Sequence, residues 1–383
     1  MKKILFLLAA LLIFSTTNIC AEINQNEKDP VAQYKIGMKY FKGDGVKQNF
    51  VQAENWFKKS ANQGNKDAQY ELASLYASGR GNVHQSDKEA FAWYKKASEQ
   101  GHGEAKYYLG EMYQNARATE KNDKLALKYY QESAAYGYVE AQYTMGELYY
   151  TGTIVEKDYA KAYQYFLKAS EQKDKRALYM LATMCSKGQG TFADQERAFE
   201  MYKKSAAQGY APAQNALGDI YYDKGNYDAA IKNYQDAANQ GNADAQFSLG
   251  YIYYQGEVTS NNFPVALEYF TRAMAGGNTD TYYMLGMMYY NGYGIKQDYK
   301  TAFEYFVDYE KITHDSDAQY MIGCMYENGQ GVDKDSEKAK EWLSKAKKQG
   351  NKDAEIKFNE LVYKQVLSRE FNLEEDEISK AKK

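Results

Sequence analysis

Apolar and small residues recur along this chain with helical spacing, in a pattern that repeats about every 36 residues. If the first residue of a repeat is position 0, then positions 0, 4, 7 and 8 fall on one helix face and are mostly apolar. The opening residues of the nine complete repeats are Ala32, Ala68, Ala105, Ala141, Ala177, Ala213, Ala245, Thr281 and Ala318, and a partial tenth unit opens at Ala354. A second helical pattern follows in each complete repeat. The sequence therefore predicts nine two-helix hairpins that cover one another's apolar faces.

Position 5 of the first helix, called helix A, is usually glycine. The seven glycines are Gly37, Gly110, Gly146, Gly218, Gly250, Gly286 and Gly323. Glycine inside a helix costs about 0.5–1 kcal/mol relative to alanine, so its repetition predicts a close approach by the second helix, called helix B. Helix B carries alanine and then a large apolar residue four positions later, such as Ala162 and Phe166, which can fill the space over Gly146.

A second pair of glycines lies between the two helices. The stretch YNGYGIKQDY at 290–299 has Gly-x-Gly before a basic residue, a feature of some phosphate-binding loops. Similar stretches occur at 41–50 and 327–336, and the chain contains no Gly-x-x-x-x-Gly-Lys-[Ser/Thr] sequence. Because the feature recurs with the repeat, we interpret it as the turn from helix A to helix B, where glycine supplies turn conformations.

The pattern A-x-Y-x-L-G-x-x-Y-x-x-G-x-G-V, followed by A-x-x-[WYF]-[FY]-x-x-A and x-Q-G, resembles the Sel1-like repeat, a relative of the tetratricopeptide repeat. The resemblance covers residues 32–353. It implies an all-α fold, a right-handed α/α superhelical solenoid of about nine Sel1-like hairpins. Residues 354–383 are then expected to form a C-terminal capping helix, near 354–371, and a mobile charged tail. The resemblance also implies a binding scaffold, without naming its ligand.

The N-terminus predicts export. Lys2 and Lys3 precede an apolar run of signal-peptide length at 4–14, and cleavage after Ala21 gives a signal peptide at 1–21 and a linker at 22–31. Cys20 is the alternative, as a lipidated cysteine, but Thr17-Asn18-Ile19 matches such sites poorly. The expected location is periplasmic or secreted, and no later segment has the apolar length of a membrane span.

Composition narrows the possible partners. The formal net charge of −3 becomes −5 once the two lysines of the signal peptide are removed, which argues against general affinity for nucleic acid or anionic membranes. Only three prolines occur in 383 residues, which favours an all-helical chain.

No catalytic or metal-binding constellation is visible, so we expect no cofactor and no enzyme activity. The three histidines, His84, His102 and His314, lie in three different turns and are interpreted as solvated. Cys185 and Cys324 lie four repeats apart and are interpreted as unpaired packing residues. The alternative function is a cell-wall or β-lactam hydrolase related to secreted Sel1-like proteins. Those relatives carry a cysteine pair in each hairpin, and this chain lacks the pairs.

A candidate partner-binding stripe runs along helix A at positions 2, 6 and 9, beside the core face. Its residues are Tyr107, Glu111, Tyr143, Glu147, Tyr150, Tyr179, Asp219, Tyr222, Phe247, Tyr251, Tyr254, Tyr283 and Tyr290. The aromatic members could instead pack between helices, and both interpretations stay open. If the stripe binds, its carboxylates and aromatic rings favour an extended protein or peptide segment that contains Lys or Arg.

Overall fold

A computed structural model of the chain describes residues 27–256 and 260–381, with side chains up to residue 367. The predicted signal peptide at 1–21, with Cys20, and most of the predicted linker at 22–31 lie outside the described residues.

The described residues form α-helices and one short 3-10 helix, Arg80–Asn82, and they contain no strand. The α-helices are α1 (Pro30–Lys42), α2 (Phe50–Asn62), α3 (Lys66–Ser78), α4 (Asp87–Glu99), α5 (Gly103–Gln114), α6 (Asp123–Ala135), α7 (Val139–Thr151), α8 (Tyr159–Glu171), α9 (Lys175–Lys187), α10 (Gln195–Ala207), α11 (Ala211–Asp223), α12 (Tyr227–Asn239), α13 (Ala243–Gln255), α14 (Phe263–Ala275), α15 (Thr281–Asn291), α16 (Tyr299–Thr313), α17 (Ser316–Asn328), α18 (Ser336–Lys348) and α19 (Lys352–Ala381). Odd-numbered helices correspond to helix A and even-numbered helices to helix B.

The chain divides into two compact units between Ala198 and Phe199. Within each unit a helix A packs against the helix B that follows it, and that helix B packs against the next helix A. The predicted all-α fold of stacked helical hairpins is confirmed.

Helix boundaries follow the polar residues of the turns. Asp29 and Asn65 cap α1 and α3, and their side-chain oxygens accept hydrogen bonds from the backbone N–H of Ala32 and Ala68 at 2.9 and 2.8 Å. These bonds satisfy N–H groups that have no partner within the helix. At the other end, Gly43 and Gly79 adopt left-handed backbone conformations with φ of 79° and 62°, which stop the helices.

The helix-A glycines allow helix B to approach closely. An ideal Cβ at Gly146 would lie 2.6 Å from the ring of Phe166, nearer than real Cβ contacts allow. Gly110 meets Tyr130 and Gly250 meets Phe270 in the same way, at 2.6 and 2.7 Å. A side chain at position 5 would therefore displace the aromatic core residue of helix B.

The loop glycines do more than form a turn. The second glycine of the α15–α16 loop, Gly294, lies against Phe263 at the start of α14, in the preceding repeat, where a Cβ would be 2.7 Å from the backbone carbon. Gly331 lies in the same way against Tyr299 at the start of α16. The loop thus joins consecutive repeats as well as the two helices of one repeat, which the sequence pattern had not indicated.

A glutamine pair closes several hairpins, and the sequence analysis missed it. Gln172, just after α8, donates from Nε2 to Oε1 of Gln142 in α7 at 2.9 Å. The same bond joins Gln63 to Gln33, Gln100 to Gln69, Gln240 to Gln214 and Gln349 to Gln319. In the hairpin of α13 and α14, Gly276 takes the place of the donor, and Oε1 of the buried Gln246 has no hydrogen-bond partner.

The last helix is longer than the sequence predicted. We expected a capping helix near 354–371 and a mobile tail beyond it, whereas α19 begins at Lys352 and continues to Ala381. Its inner face packs against α18 through Ala354, Phe358 and Leu361. Residues such as Glu and Lys are frequent in its final turns and have high helix propensity, which favours continuation of the helix.

Candidate binding surface on helix A

The position-2 aromatic residues of the predicted stripe are half-buried against helix B. Tyr107 lies over Tyr130 and Tyr143 over Phe166, each with ring centroids 5.5 Å apart. In the second unit, Phe247 packs on Phe270 and Tyr283 on Phe306, both at 5.6 Å. Much of each ring therefore contributes to hairpin packing, and the guanidinium of Arg176 also covers the ring of Tyr143 at 4.3 Å. Tyr179 is likewise half-buried, in α9.

The position-9 tyrosines contact neighbouring segments. The hydroxyls of Tyr150 and Tyr290 donate to Oε1 of Gln189 and Gln330, at 3.2 and 3.0 Å, in the loops of the following repeats. Tyr222 and Tyr254 pack edge-on against Tyr227 and Phe263, at the starts of the helices that follow. These tyrosines hold loops in place, and only part of each ring is exposed.

Position 6 supplies the accessible polar groups of the stripe. The side chains of Glu147, Asp219 and Tyr251 are exposed, and Glu111 is half-buried. Glu111 accepts a hydrogen bond from the Tyr107 hydroxyl at 3.3 Å, and Asp219 accepts one from the Tyr234 hydroxyl at 2.8 Å. Partial loss of hydration among the helices raises the pKa of each of the three carboxyls above its ordinary range.

The structure adds an acidic group in the first unit that the sequence analysis did not identify. Burial, with repulsion from Glu104, raises the pKa of Glu71 in α3 to about 7. Burial and the charges of Glu71, Asp67 and Glu104 raise the pKa of the Tyr34 hydroxyl to about 12. These carboxylates occupy positions 3 and −1 of their repeats, outside the positions from which the stripe was predicted.

The sequence predicted that His102 is a solvated turn residue, and the structure shows that this prediction is wrong. Its Nδ1 accepts the backbone N–H of Ala105 at 3.2 Å and so caps α5. Its ring stacks on Tyr70 with centroids 4.5 Å apart. Burial lowers the pKa of the imidazole, which keeps Nδ1 free to accept the capping bond. The sequence signal was its position, which is occupied by Asp or Asn in other repeats.

A comparison with protein families matches most of the chain. The family described as Sel1 repeat matches residues 30–65, 66–102, 103–138, 139–174, 175–210, 211–242, 243–278, 279–307 and 316–351. The chain belongs to the Sel1 repeat family. The resemblance stated from the sequence is confirmed.

Solved Sel1-repeat structures are similar to this protein over long stretches. One is the crystal structure of c5321, a protective antigen present in uropathogenic Escherichia coli strains displaying an SLR fold; it is 29% identical, with 88% of this chain and 72% of that chain covered and a TM-score of 0.76. Another is a Sel1 repeat protein from Oxalobacter formigenes, also 29% identical, covering 63% of this chain and 99% of that chain with a TM-score of 0.57. A comparison with curated proteins found no significant match.

Two small cavities open at the same place in the Sel1 repeats of the two units. In the first unit, a cavity of about 230 Å³ is lined by Tyr94, Tyr108, Glu111 and Arg117, among others. In the second, a cavity of about 160 Å³ is lined by Tyr222, Tyr234 and Tyr251, among others. In both, the helix-B tyrosine forms part of the lining. The lining of the first cavity includes the charged side chains of Glu111 and Arg117, whereas the lining of the second is mainly aromatic.

The groups needed for metal binding do not come together among the described residues, where no cluster of three or more His, Cys, Asp or Glu side chains could hold an ion. Cys185 and Cys324 are both free and buried, as expected. Within the same residues, no helix is both long enough and apolar enough to span a membrane. The fold is that of a repeat scaffold.

Proposed function

We propose that this Sel1-repeat protein is an exported, non-catalytic scaffold that binds a protein or peptide along helix A. The preferred ligand is an extended segment containing Lys or Arg. The observation that carries the proposal is the set of partly dehydrated carboxylates beside tyrosine hydroxyls and rings, present in each unit. A cation placed there gains charge attraction and contact with aromatic faces, worth about 0.5–2 kcal/mol per ring.

In the first unit, Glu111 and Glu147 lie on neighbouring A helices, and Glu71 adds a third carboxylate whose pKa is raised to about 7. Raised pKa values mean that the carboxylates lack full compensation by nearby cations. A bound Lys or Arg side chain supplies that compensation, and binding should therefore release protons near neutral pH.

In the second unit, Asp219 is exposed near Asp223 and Asp244, whose charges help to raise its pKa. Phe247 and Tyr251 lie in the next A helix with rings 6.3 Å apart, and Tyr251 is 37% exposed. This combination again favours a cationic segment over an acidic one.

Export is supported by the sequence pattern of residues 1–21. The similar Escherichia coli protein is described as a protective antigen, which fits an exported role. A periplasmic assembly or a host protein is the proposed class of partner.

The test uses two fluorescein-labelled peptides, one of alternating Lys and Ala residues and one of alternating Glu and Ala residues. Fluorescence anisotropy measures the binding of each to the purified protein at low and moderate salt. The Lys peptide should bind, the Glu peptide should not, and the affinity for the Lys peptide should fall as salt rises. The variant Glu111→Gln/Glu147→Gln/Asp219→Asn should lose affinity about tenfold and much of the salt dependence.

The matched control is Glu99→Gln/Glu171→Gln/Asp236→Asn, which removes the same charge from exposed positions on B helices. It should leave the affinity nearly unchanged. Equal losses in the two triple variants would show that only net charge matters, and binding that ignores both salt and the helix-A substitutions would place the ligand elsewhere.

A further inference from the structure

The outward face of the last helix, α19, is unexpectedly apolar. Ile356, Tyr363 and Leu367 are 59%, 65% and 39% exposed, and their spacing of seven and four residues places them on one side of the helix. Val366 and Val362, at 47% and 37% exposed, lie along one edge of this stripe. The inner residues Ala354, Phe358 and Leu361 already cover the end of the solenoid. A terminal helix needs a polar exterior to end a solenoid, so this stripe requires another explanation.

The helix also extends beyond its neighbour. Gln365 lies beside the start of α18, where it bonds to Lys340 at 2.7 Å and to Glu337 at 3.2 Å. Since α18 begins at Ser336, residues 366–381 of α19 continue past it. An isolated helix is marginal in water, so a second surface against the described part of this face, up to Leu367, would stabilise the helix.

Two charged side chains flank the stripe along its other edge, opposite Val362 and Val366. Glu360 and Lys364 are 51% and 67% exposed, and they lie between the ends of the stripe. Each also forms a long ion pair within the chain, Glu360 with Lys357 at 3.8 Å and Lys364 with Glu327 at 3.9 Å, so a pair with the second copy adds to these contacts.

Two copies of α19 can pair antiparallel, with Ile356 of one beside Leu367 of the other. In that arrangement, the edge that carries Glu360 and Lys364 in one copy faces the same edge of the other copy. Glu360 of each copy then lies beside Lys364 of the other, twice by symmetry. In a parallel pairing, the edge that carries Glu360 and Lys364 would instead face the edge of the second copy that carries Asn359 and Val366, and no such ion pair would form.

We propose that the outward face of α19 is a homodimer interface, in which two copies of this chain pair their last helices antiparallel about a two-fold axis. Ile356, Tyr363, Val366 and Leu367 form its apolar centre, and the Glu360–Lys364 pairs determine the direction. A single helix pair is a small interface, so the dimer is weak and forms at concentrations of about 1–100 µM.

Sedimentation equilibrium of the purified protein over this concentration range measures the association. The mass should rise from one chain to two with increasing concentration. Tyr363→Glu should raise the dissociation constant by at least about tenfold, because it places a charge at the apolar centre. The control Ile312→Glu makes the same kind of change at a 55% exposed residue of α16 and should leave the association unchanged. Circular dichroism melting should show both variants folded.

Charge reversal tests the direction of the pairing. Glu360→Lys and Lys364→Glu should each weaken the dimer, and the double variant should restore it, because opposite charges then face each other again.

Cysteine cross-linking tests the register. Under mild oxidation, Ile356→Cys/Leu367→Cys should give a covalent dimer, whereas neither single variant should, since each new cysteine faces a different residue of the second copy. Cross-linking by the single variants would show parallel pairing and overturn the proposed arrangement. A mass of one chain up to about 200 µM, or equal weakening by Tyr363→Glu and Ile312→Glu, would overturn the interface itself.

Discussion

In several repeats, the loop between helix A and helix B places two residues in left-handed backbone, and the residue types there determine the local strain. Gly43 and Gly45 have φ of 79° and 69°, whereas the loop between α5 and α6 holds Ala116 and Ala118 at φ of 55° and 58°. A residue with a Cβ pays roughly 1–2 kcal/mol for this conformation, which glycine adopts freely. The α5–α6 loop is therefore strained relative to the loops that have glycine at both positions.

Replacing both alanines by glycine should stabilise the protein. Relief of strain in Ala116→Gly/Ala118→Gly exceeds the entropy that each glycine adds to the unfolded chain, about 0.4–1 kcal/mol, and leaves a net gain of about 1 kcal/mol. Thermal melting measures it. The control Ala92→Gly, in the middle of α4 and exposed, should lose about 1 kcal/mol. A loss in the loop variant similar to that control would mean that the loop is not strained.

The buried glycine of helix A gives the opposite prediction. Gly146→Leu should destabilise the protein by about 3 kcal/mol, because even its Cβ would lie 2.6 Å from Phe166. Chemical denaturation measures the change, with Glu147→Leu at the neighbouring exposed position as the control. If the two leucine variants unfold alike, close packing of the helices at this glycine is wrong.

Glu71 makes stability depend on pH. Its folded-state pKa of about 7 lies above the ordinary value of about 4.3, so the folded protein holds this proton more tightly. The stabilisation that comes from the proton on Glu71 is full below about pH 4.3 and is lost as the pH rises through about 7. Glu71→Gln removes the charge penalty and should stabilise the protein by about 1–2 kcal/mol at pH 8, with little effect at pH 4.5.

Melting temperatures of wild type and Glu71→Gln at the two pH values measure this difference, with Glu99→Gln as an exposed control. Asp67, Glu104 and Lys42, which surround position 71, are the same in both proteins, so the comparison isolates the substitution. An equal shift at pH 4.5 and pH 8 would contradict the raised pKa.

At the scale of the helical hairpin, the buried glutamine pair joins the end of helix B to the start of helix A. Gln142 is 6% exposed, and its Oε1 accepts from Gln172 at 2.9 Å. Gln172→Ala leaves that acceptor unsatisfied and also removes the bond from Gln172 Nε2 to the Gly137 carbonyl at 2.8 Å, and the protein should lose about 1–2 kcal/mol of stability.

Gln208 is the matched control, because it occupies the same position in its repeat but its side chain donates to a backbone carbonyl of its own helix, that of Lys204, at 3.4 Å. Chemical denaturation should show a smaller loss for Gln208→Ala than for Gln172→Ala. Similar losses in the two variants would mean that the bond between Gln172 and Gln142 adds no stability beyond what a glutamine at this position contributes without it.

At the scale of the whole molecule, α19 protects the apolar end of the repeat array. Its first turns bury Leu343 and Ala346 of α18, which are fully buried in the intact protein. Removing residues 352–383 should expose this surface and cause aggregation, whereas removing only 374–383 should leave the protein soluble. Light scattering during heating measures both truncations, and equal solubility would contradict the capping role of the helix.

The repeat made much of the fold predictable from the sequence. Nine copies of one pattern reinforce each signal, so the helical hairpins, the helix-A glycines and the turn glycines could be read from residue spacing alone. The candidate site was less predictable. The sequence identified the positions of the stripe. It did not show how deeply the rings of Tyr107, Tyr143 or Tyr150 are buried, because an aromatic residue beside a core can pack inward or face the solvent.

By itself, the sequence determined the local structure: which residues form helices, where the turns occur and which face of each helix is apolar, since these depend on spacing and backbone preference. Only the tertiary structure decided what happens between elements. It brought Glu71 near Glu104, stacked His102 on Tyr70, paired Gln142 with Gln172 and left Ile356, Tyr363 and Leu367 exposed. Such hydrogen bonds, pKa shifts and exposed faces depend on distances between residues far apart in the chain, which periodicity does not contain.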